Sequence, residues 1–273
     1  MSNDLPRIDI IKLTKELENE GFIPTKRRGP TGIGFTLESR LGIYENNSDI
    51  HDFADIGKYS GTHFELKTQR RRILNPIEYN GWRNNKSMIS LVTQSPHGGM
   101  TNKCLIEKYG YPDSKEINKR NLYTTLRCNR YTNGRKIKCM KSNRERNYLY
   151  IVHGKTNLSY YNLSLFGDKL KNLIVFRADA KNEFCKCENI HFHDDKTKQY
   201  HEYFYFNEVT IFLKLNKNKF YELLDTGKIN LDIRMHIKYD RNIDDELKNH
   251  DHGTALRIPF QHIQELYEKF EQI

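Results

Sequence analysis

The first forty residues carry apolar positions at helical spacing. The stretch IDIIKLTKELENEG predicts an opening helix, which Gly21 is placed to end. After a glycine-rich turn, Ile33, Leu37 and Leu41 recur every four residues and predict a second helix. Glu38 therefore lies at the edge of the apolar stripe, beside the face of this helix that is expected to be buried.

Alternation replaces the helical spacing in FADIGKYSGTHFELKTQRRR, residues 53–72. A Ser-Gly turn separates two short strands, which predicts a β-hairpin. In the second strand Phe64 and Leu66 point to one face while Glu65 and Lys67 point to the other, because side chains alternate along a strand. A carboxylate and an ammonium group are therefore expected side by side on the polar face of the hairpin.

The rest of the chain mixes strands and helices. Residues 100–147 are rich in Lys, Arg and Asn and lack apolar periodicity, which predicts a surface insertion. The stretch LKNLIVFRADAK is apolar enough for either a helix or a strand. Strands are predicted in SMISLVTQ, NYLYIVHG, EYFYFNEVTIFLKL, INLDIRMHIKYD and ALRIPF, a loop in RNIDDELKNHDHGT, and helices in NKNKFYELLDTGK and the closing QHIQELYEKFEQI. Together these elements predict an α/β fold.

Length and charge narrow the possible functions. The chain has 273 residues, near the size at which single cores stop growing, so two lobes are expected over 1–180 and 181–273, the second not folding independently. It carries 45 Lys and Arg against 35 Asp and Glu, a formal net charge of +10. Such an excess favours binding to a polyanion, most commonly nucleic acid, although a charge that serves only solubility is the alternative.

Cysteine usage and hydropathy indicate the compartment. The chain has five cysteines without regular spacing, which predicts reduced thiols. Neither a signal-like apolar core nor a membrane-spanning apolar stretch occurs in the sequence. A cytoplasmic protein without membrane contact is therefore expected.

The hairpin carries a candidate hydrolytic site. Hydrolysis of a phosphodiester needs an activated water and charge stabilisation at phosphorus, which Mg²⁺ held by one or two carboxylates can supply. Asp55 and Glu65 could provide these ligands across the ladder, because neighbouring strands lie only about 5 Å apart. Lys67 would then lie beside the water, and Glu38 could complete the site through an outer contact or a second metal. The alternative is a solvated hairpin face on which these residues occur together by chance.

An arginine run follows the candidate site directly. Arg70, Arg71 and Arg72 lie where a duplex held for cleavage would present its phosphates, and such contacts position a duplex without reading its sequence. Other Lys and Arg residues within 100–147 could extend the contact or could belong to a solvated basic loop. The run is therefore expected to contact the DNA backbone.

Four motifs, in chain order, resemble one known family. They are GPTGIGFTLESRLGI, FADIGKYSGTHFELKTQRR, LDIRMHI and HDHGTALRI. Together they resemble the MvaI and BcnI group of type II restriction endonucleases, which is itself similar to the mismatch-repair nicking endonuclease MutH. The resemblance spans most of the chain, but Ala54 stands where a proline usually precedes the aspartate, and residues 100–147 have no counterpart.

The resemblance implies a PD-(D/E)xK nuclease core, a mixed sheet flanked by helices, joined to a DNA-recognition lobe. It implies Mg²⁺-dependent cleavage of double-stranded DNA at a short CC-N-GG-type site by a monomer, with a cognate DNA methyltransferase as genetic partner. By position in the motifs, Asp55, Glu65 and Lys67 are the expected catalytic set, with Asp55 and Glu65 on the metal. Glu38 is the helix-borne carboxylate of that set.

Reading of the DNA sequence is expected in the second lobe. Arginine meets O6 and N7 of guanine with both arms of its guanidinium, and aspartate accepts from N4 of cytosine. Arg234 is expected to contact a guanine and Asp232 the paired cytosine, unless the two only form a surface salt bridge. By similarity to the relatives, Arg257 and His252 are also expected to contact bases, with His250 the competitor of His252.

Zinc binding stays open in one cysteine-rich stretch. Cys185, Cys187, His191 and His193 are residue types that zinc accepts, but the usual two-residue gap between the cysteines is missing. Two other functions also stay open: a MutH-like repair nickase that needs an activating partner, and a sequence-specific DNA-binding protein without catalysis. Metal-dependent strand scission would separate the nucleases from the binding protein.

Overall fold

The computed structural model describes residues 6–27, 29, 31–43, 52–74, 88–93, 95–140, 148–184, 200–239, 248–251 and 254–273. The helices are α1 (Ile10–Glu20), α2 (Gly32–Arg40), α3 (Asn102–Tyr109), α4 (Ser164–Lys169), α5 (Lys217–Asp225) and α6 (Phe260–Ile263), followed by a 3₁₀ turn at Gln264–Leu266. The strands are β1 (Arg7–Ile8), β2 (Ile23–Pro24), β3 (Phe53–Asp55), β4 (His63–Ile73), β5 (Met88–Thr93), β6 (Gly98–Gly99), β7 (Tyr111–Pro112), β8 (Lys119–Leu126), β9 (Arg135–Met140), β10 (Tyr148–His153), β11 (Thr156–Asn162), β12 (Asn172–Phe184), β13 (Tyr200–Leu215), β14 (Asn230–Lys238), β15 (Lys248–Asp251), β16 (Ala255–Pro259) and β17 (Tyr267–Gln272). None of the helices described is both long and apolar enough to cross a membrane.

The elements form two compact units that interleave along the chain, whereas the sequence placed a single boundary near residue 180. Unit 1 comprises Met1–Met88, Lys169–Lys214 and Tyr267–Ile273, and unit 2 comprises Ile89–Asp168 and Leu215–Leu266. Strand pairing explains the interleaving. β12 runs parallel to β4 and antiparallel to β13, and a parallel pair needs a long crossover between its strands. The crossover from β4 to β12 contains the first segment of unit 2.

Unit 1 is built on a seven-stranded sheet in the order β1-β3-β4-β12-β13-β17, with β2 added to β13. The predicted hairpin is confirmed, since β3 pairs antiparallel with β4. All but the first two residues of the ambiguous stretch LKNLIVFRADAK form part of β12, which places Leu173 opposite Glu65 in the parallel ladder. The strand that carries the candidate chemistry therefore has a neighbouring strand on each side.

The two predicted N-terminal helices are confirmed as α1 and α2. The Asp9 carboxylate caps α1 by accepting from Lys12 N at 3.1 Å, and Gly21, with φ 73°, ends it. Buried residues of both helices share one core with the sheet: Ile10, Leu17, Ile33, Leu37, Phe53, Phe64, Leu66, Ile174, Phe176 and Phe204. Full burial of one such side chain stabilises the fold by about 1.5–3 kcal/mol. This packing fixes α2, and Glu38 with it, against the sheet.

Unit 2 contains a four-stranded sheet, β6-β11-β10-β9, and a six-stranded sheet, β5-β16-β14-β8-β7, with β15 paired to β14. The expected surface insertion over 100–147 is wrong, because this segment supplies α3, β7, β8 and β9 to the unit. Its apolar residues are core residues, namely Leu105, Ile106, Leu122, Leu126 and Ile137. These apolar residues lie on short elements and are separated by Lys and Arg. The segment therefore shows no clear apolar periodicity in its sequence.

The closing segment also departs from prediction. QHIQELYEKFEQI was expected to form a helix, but only Phe260–Ile263 is α-helical, and Tyr267–Gln272 forms β17. β17 adds to β13, and Ile273 N donates to Val209 O at 2.9 Å. The 16 residues of β13 offer a long edge, and hydrogen bonds to that edge replace those that a helix would make.

Candidate active site

Glu65 and Lys67 meet on the polar face of β4, as predicted. Glu65 Oε1 accepts from Lys67 Nζ at 2.6 Å, and Lys169 Nζ lies 3.8 Å from the same oxygen. Phe64 and Leu66 point the other way into the core. The Glu65 side chain is only 3% exposed, so a carboxylate is held in a largely water-free position by two ammonium groups.

Asp52, which was not among the predicted site residues, lies beside this pair. Its backbone N donates to Phe64 O at 3.0 Å, and its Oδ2 accepts from Leu66 N at 2.7 Å. The carboxylate is thereby fixed against the β4 backbone between Glu65 and Lys67, and its charge acts to raise the pKa of both. The only signal for it in the sequence is a second aspartate three residues before Asp55.

Asp55 does not join this group, which corrects the expectation that it faces Glu65 across the ladder. It shares the core face of β3 with Phe53 and is 1% exposed. Its Oδ1 accepts from Ile10 N at 3.1 Å and its Oδ2 from Tyr59 N at 2.6 Å. Asp55 therefore ties the start of α1 and the turn after β3 to the sheet.

Glu38, on α2, acts on the β4 group through its charge. A Cβ atom on Gly34 would lie 3.6 Å from Glu38 Oε1 and 3.4 Å from Thr68 Oγ1. The charge of Glu38 also acts to raise the pKa of Lys67. A third carboxylate charge thus acts on the group on β4, and Gly34 lets α2 approach Thr68 of the same strand closely.

The charges of the group shift its titration. Burial raises the pKa of Glu65, and the Asp52 charge adds to that rise, while Lys67 and Lys169 oppose it. Burial acts to lower the pKa of Lys67, but the carboxylate of Glu65 and those around it hold it above the ordinary value. Tyr267 lies near this group, since the charge of Glu65, together with burial, raises the pKa of the Tyr267 hydroxyl.

One oxygen of the group lacks a partner among the described residues. Glu65 Oε2 is buried and accepts no hydrogen bond from them, and an unmet buried carboxylate oxygen is costly. A divalent cation would satisfy it, and the oxygen donors of Glu65, Asp52 and Glu38 are those that Mg²⁺ prefers. In the described part of the chain these three carboxylates do not converge within 4.8 Å of one another. That spacing suits Mg²⁺ bound through one or two carboxylates and several waters.

In unit 2, Asp232 and the two predicted base-reading arginines come together. Asp232 Oδ1 accepts from the Thr125 hydroxyl at 2.9 Å. Its Oδ2 accepts from Arg234 Nε at 2.9 Å and lies 3.2 Å from Arg257 Nε. The salt bridge considered as the alternative for Arg234 is present, and it leaves that side chain 45% exposed. Because Asp232 is buried and engaged, it orients the arginines, and its predicted contact with cytosine does not fit this position.

Two more arginines belong to this neighbourhood, Arg127 near Asp232 and Arg130 near Arg127. Burial and the charge of Arg130 lower the pKa of Arg127, which Asp232 opposes. The Arg234 guanidinium lies 5.9 Å from the ring centroid of Tyr123. We call Arg127, Arg130, Arg234 and Arg257 the arginine cluster. One buried carboxylate against four guanidinium groups leaves the cluster strongly positive.

The structure describes one of the two histidines predicted to read the DNA. His250 lies in β15, where its backbone pairs opposite His236. His252 lies outside the described residues, as do the open zinc ligands Cys185, Cys187, His191 and His193.

The arginine run, which lies in the second half of β4, is engaged within unit 1, contrary to expectation. Arg70 is buried and donates to both oxygens of Glu202, at 2.7 and 2.9 Å. Arg71 lies 3.3 Å from Glu208, and Arg72 donates to both oxygens of Asp179. Arg70 therefore cannot contact a phosphate from this position. Arg72, whose side chain is 59% exposed, keeps part of its surface toward solvent.

Comparisons with known proteins agree on one family. The MvaI/BcnI restriction endonuclease family matches residues 11–267. The solved structure of a restriction endonuclease MvaI–cognate DNA substrate complex is 25% identical, with 96% of this chain and 95% of that chain covered and a TM-score of 0.65. Restriction endonuclease MvaI in the absence of DNA is 23% identical, with 97% and 98% covered and a TM-score of 0.45. No curated protein matches the chain.

Proposed function

The chain belongs to the MvaI/BcnI restriction endonuclease family, and from this premise we propose that it cleaves double-stranded DNA at a short CC-N-GG-type site with Mg²⁺ held by Asp52 and Glu65. It is a site-specific deoxyribonuclease of the type II restriction class. The observation that carries the metal proposal is the buried Oε2 of Glu65, which has no partner among the described residues and lies in a group rich in carboxylates. Restriction endonucleases generally depend on a divalent metal ion.

Asp52 takes the metal-binding role expected for Asp55. Its carboxylate is fixed beside Glu65 and Lys67, whereas both oxygens of Asp55 are held by backbone N–H groups on the core face. Asp55 lies on the core face with Phe53, opposite the face that carries Glu65 and Lys67, so its oxygens are turned away from the proposed ion. Glu38 completes the set from α2.

The chemistry needs a metal and two cationic side chains. When bound, Mg²⁺ lowers the pKa of a coordinated water and offsets the charge that develops on the phosphate. Lys67 stays protonated at neutral pH because its pKa is raised, so it donates to the water or to a phosphate oxygen and does not remove a proton. Lys169 adds a second positive charge near Glu65. Such fixed charges stabilise a transition state that is more negative than the ground state.

DNA recognition is assigned to the arginine cluster in unit 2. Arg234 and Arg257 present guanidinium groups that Asp232 orients, and a two-armed contact with guanine gives about 1–3 kcal/mol of discrimination. Arg127 and Arg130, previously placed only in a basic segment, join them. His252, with His250 as competitor, remains the proposed reader of the central pair. Arg72 is the member of the arginine run that we keep as a phosphate contact.

Digestion of phage DNA of known sequence, with Mg²⁺ and sequencing of the fragment ends, tests the activity. The expected result is a set of discrete fragments ending at CC-N-GG-type sites. Salt-sensitive binding without scission would make the protein a DNA-binding protein without catalysis. Nicks in one strand only would favour the repair nickase.

A matched pair of substitutions tests the choice of aspartate. Asp52→Asn is expected to lower cleavage at least about 100-fold, as loss of a preorganised charge typically does, while binding in Ca²⁺ survives. Asp55→Asn, three residues away, is expected to keep cleavage in folded protein but to lower the melting temperature, because caps and buried hydrogen bonds are worth about 1–2 kcal/mol. Full cleavage by the Asp52 variant, with a folded but inactive Asp55 variant, would restore Asp55 to the site.

A further inference from the structure

Unit 2 also holds a group of metal-ligand side chains, next to the segment that carries Arg127. The ligand atoms of Cys128, Cys139 and Asp225 all lie within 4.8 Å of one another. Cys128 follows β8, Cys139 lies in β9 and Asp225 is the last residue of α5. Three separate elements therefore deliver two thiols and one carboxylate to one point.

Contacts that involve none of the three side chains hold these elements in place. Ile137 N donates to Arg127 O at 3.2 Å, which fixes β9 to the segment after β8. Asn129 Nδ2 donates to Thr226 O at 2.7 Å, which fixes that same segment to the end of α5. A Cβ atom on Gly227 would come within 2.5 Å of Asn129 Oδ1, so this close approach requires a glycine. The donor atoms are thus prepositioned before any ion binds.

The donor set selects a class of metal. Thiolates favour zinc and other thiophilic ions, whereas Mg²⁺ requires oxygen ligands. Cys128 and Cys139 are half-buried and Asp225 is exposed, which leaves an open side where water can supply a fourth tetrahedral ligand. Cys128 is in hydrogen-bond contact with the side chain and backbone of Cys139, and the charge of Lys136 acts on it. That ammonium would offset the net negative charge of two thiolates and one carboxylate around a divalent ion.

We propose that Cys128, Cys139 and Asp225 form a zinc site that joins the β8–β9 connection to the end of α5. Binding releases the two thiol protons to solvent, and the metal undergoes no redox change. Cys128 follows Arg127 directly, so a bound ion would fix the backbone that carries one member of the arginine cluster. The site is separate from the Mg²⁺ chemistry of unit 1 and does not rest on the proposed function.

Metal content and a cobalt spectrum test the site. Purified protein loaded with zinc and then desalted is expected to retain about one ion per chain, and Cys128→Ser or Cys139→Ser less than about a tenth, because thiolates supply most of the affinity. Cobalt in place of zinc should give a thiolate charge-transfer band that Cys128→Ser abolishes. Asp225→Asn should weaken binding with both thiolates still on the metal, which covers the case in which a serine variant does not fold.

Two controls use the other cysteines. Cys104→Ser, at an exposed thiol on α3, is expected to keep the ion. The double variant Cys185→Ser, Cys187→Ser is also expected to keep it. Zinc lost in that double variant and kept in Cys128→Ser would move the site to the other cysteine pair and overturn the proposal. So would metal-free protein with free thiols by thiol titration, or a mass lower by two hydrogens that shows a disulfide.

Discussion

Glu65 in unit 1 and Asp232 in unit 2 are both buried carboxylates, with side chains 3% and 5% exposed, yet their surroundings are opposite. Glu65 lies near the carboxylate of Asp52 and keeps one oxygen without a partner among the described residues. Asp232 has a hydrogen bond on each oxygen, from Thr125 and from Arg234. One group has an excess of carboxylates, and the other an excess of guanidinium groups.

The difference shows that burial of a carboxylate does not by itself define its role. Where carboxylates accumulate around an unmet oxygen, a cation lowers the cost of burial. Where guanidinium groups outnumber a fully engaged carboxylate, that carboxylate orients them, and their remaining donors face an anion or a base edge. The balance of charges around each group, and not the residue type, is therefore the basis on which we propose metal binding for the first group and DNA recognition for the second.

Glu65→Gln tests the carboxylate group of unit 1 and should have the largest effect on activity. Cleavage is expected to fall at least about 1000-fold, since the variant loses a metal ligand as well as a charge. The melting temperature at neutral pH should fall only a little, because burial opposes the charged form of Glu65 and so offsets the loss of its pairing with Lys67. Cleavage rates in Mg²⁺ and thermal unfolding measure the two outcomes.

Glu202→Gln is the matched control for that variant, because Glu202 is a buried glutamate of the same sheet that pairs with Arg70. It should lower the melting temperature, since breaking a buried pair costs about 3–5 kcal/mol. Near-normal cleavage by the Glu65 variant, or an equal loss of stability in both variants, would contradict the contrast between an unmet and a satisfied carboxylate.

Asp232→Asn tests the arginine cluster of unit 2 and should have an intermediate effect on DNA binding. Arg234 and Arg257 lose the charge that orients them, so binding to a duplex with the CC-N-GG-type site should weaken about 10- to 100-fold, the range of one or two guanine contacts. Binding to a scrambled duplex should hold or rise, because the variant loses a negative charge. Fluorescence anisotropy in Ca²⁺ with both duplexes measures the ratio.

Asp113→Asn is the control for the recognition test. Asp113 lies in unit 2 and accepts from Asn121 at 2.7 Å, outside the arginine cluster. Its substitution should leave the ratio of the two affinities unchanged. Equal weakening on both duplexes in the Asp232 variant would mean that Asp232 supports folding and not recognition.

Lys169→Met tests how the charge of Lys169 acts on Glu65 and should have the smallest effect on the cleavage rate. Metal binding needs ionised Glu65, so cleavage falls as pH falls through the pKa of Glu65, which is already raised by burial. Lys169 acts to lower that pKa. Its removal should therefore move the acid limb of the pH–rate profile to higher pH, while the plateau falls less than in the Glu65 variant. Lys171→Met, at an exposed lysine two residues away, should not move the limb, and a shift of the Lys169 variant to lower pH would refute the assignment.

Much of unit 1 could be predicted from local pattern. The helical spacing of apolar residues in α1 and α2 and the alternation in β4 are properties of contiguous residues. Both helices and the hairpin could therefore be predicted, with Glu65 and Lys67 on one face of the strand. Prediction failed where partners are distant. The closing segment has helical residues, but the edge of β13 makes its end a strand. The segment 100–147 becomes core only when its short elements pack within unit 2.

By itself, the sequence determined the family resemblance, the strand that carries Glu65 and Lys67, and the helix that carries Glu38. The tertiary structure set Asp52 beside Glu65 and Asp55 on the core face, and the two point to opposite sides because they lie three residues apart on or beside a strand. It did so through hydrogen bonds from other parts of the chain, with Ile10 and Tyr59 holding Asp55 and Leu66 holding Asp52. It likewise turned Arg70 inward, since its partner Glu202 lies more than a hundred residues away along the chain. No local pattern encodes such partners, because they become neighbours only when the sheet assembles.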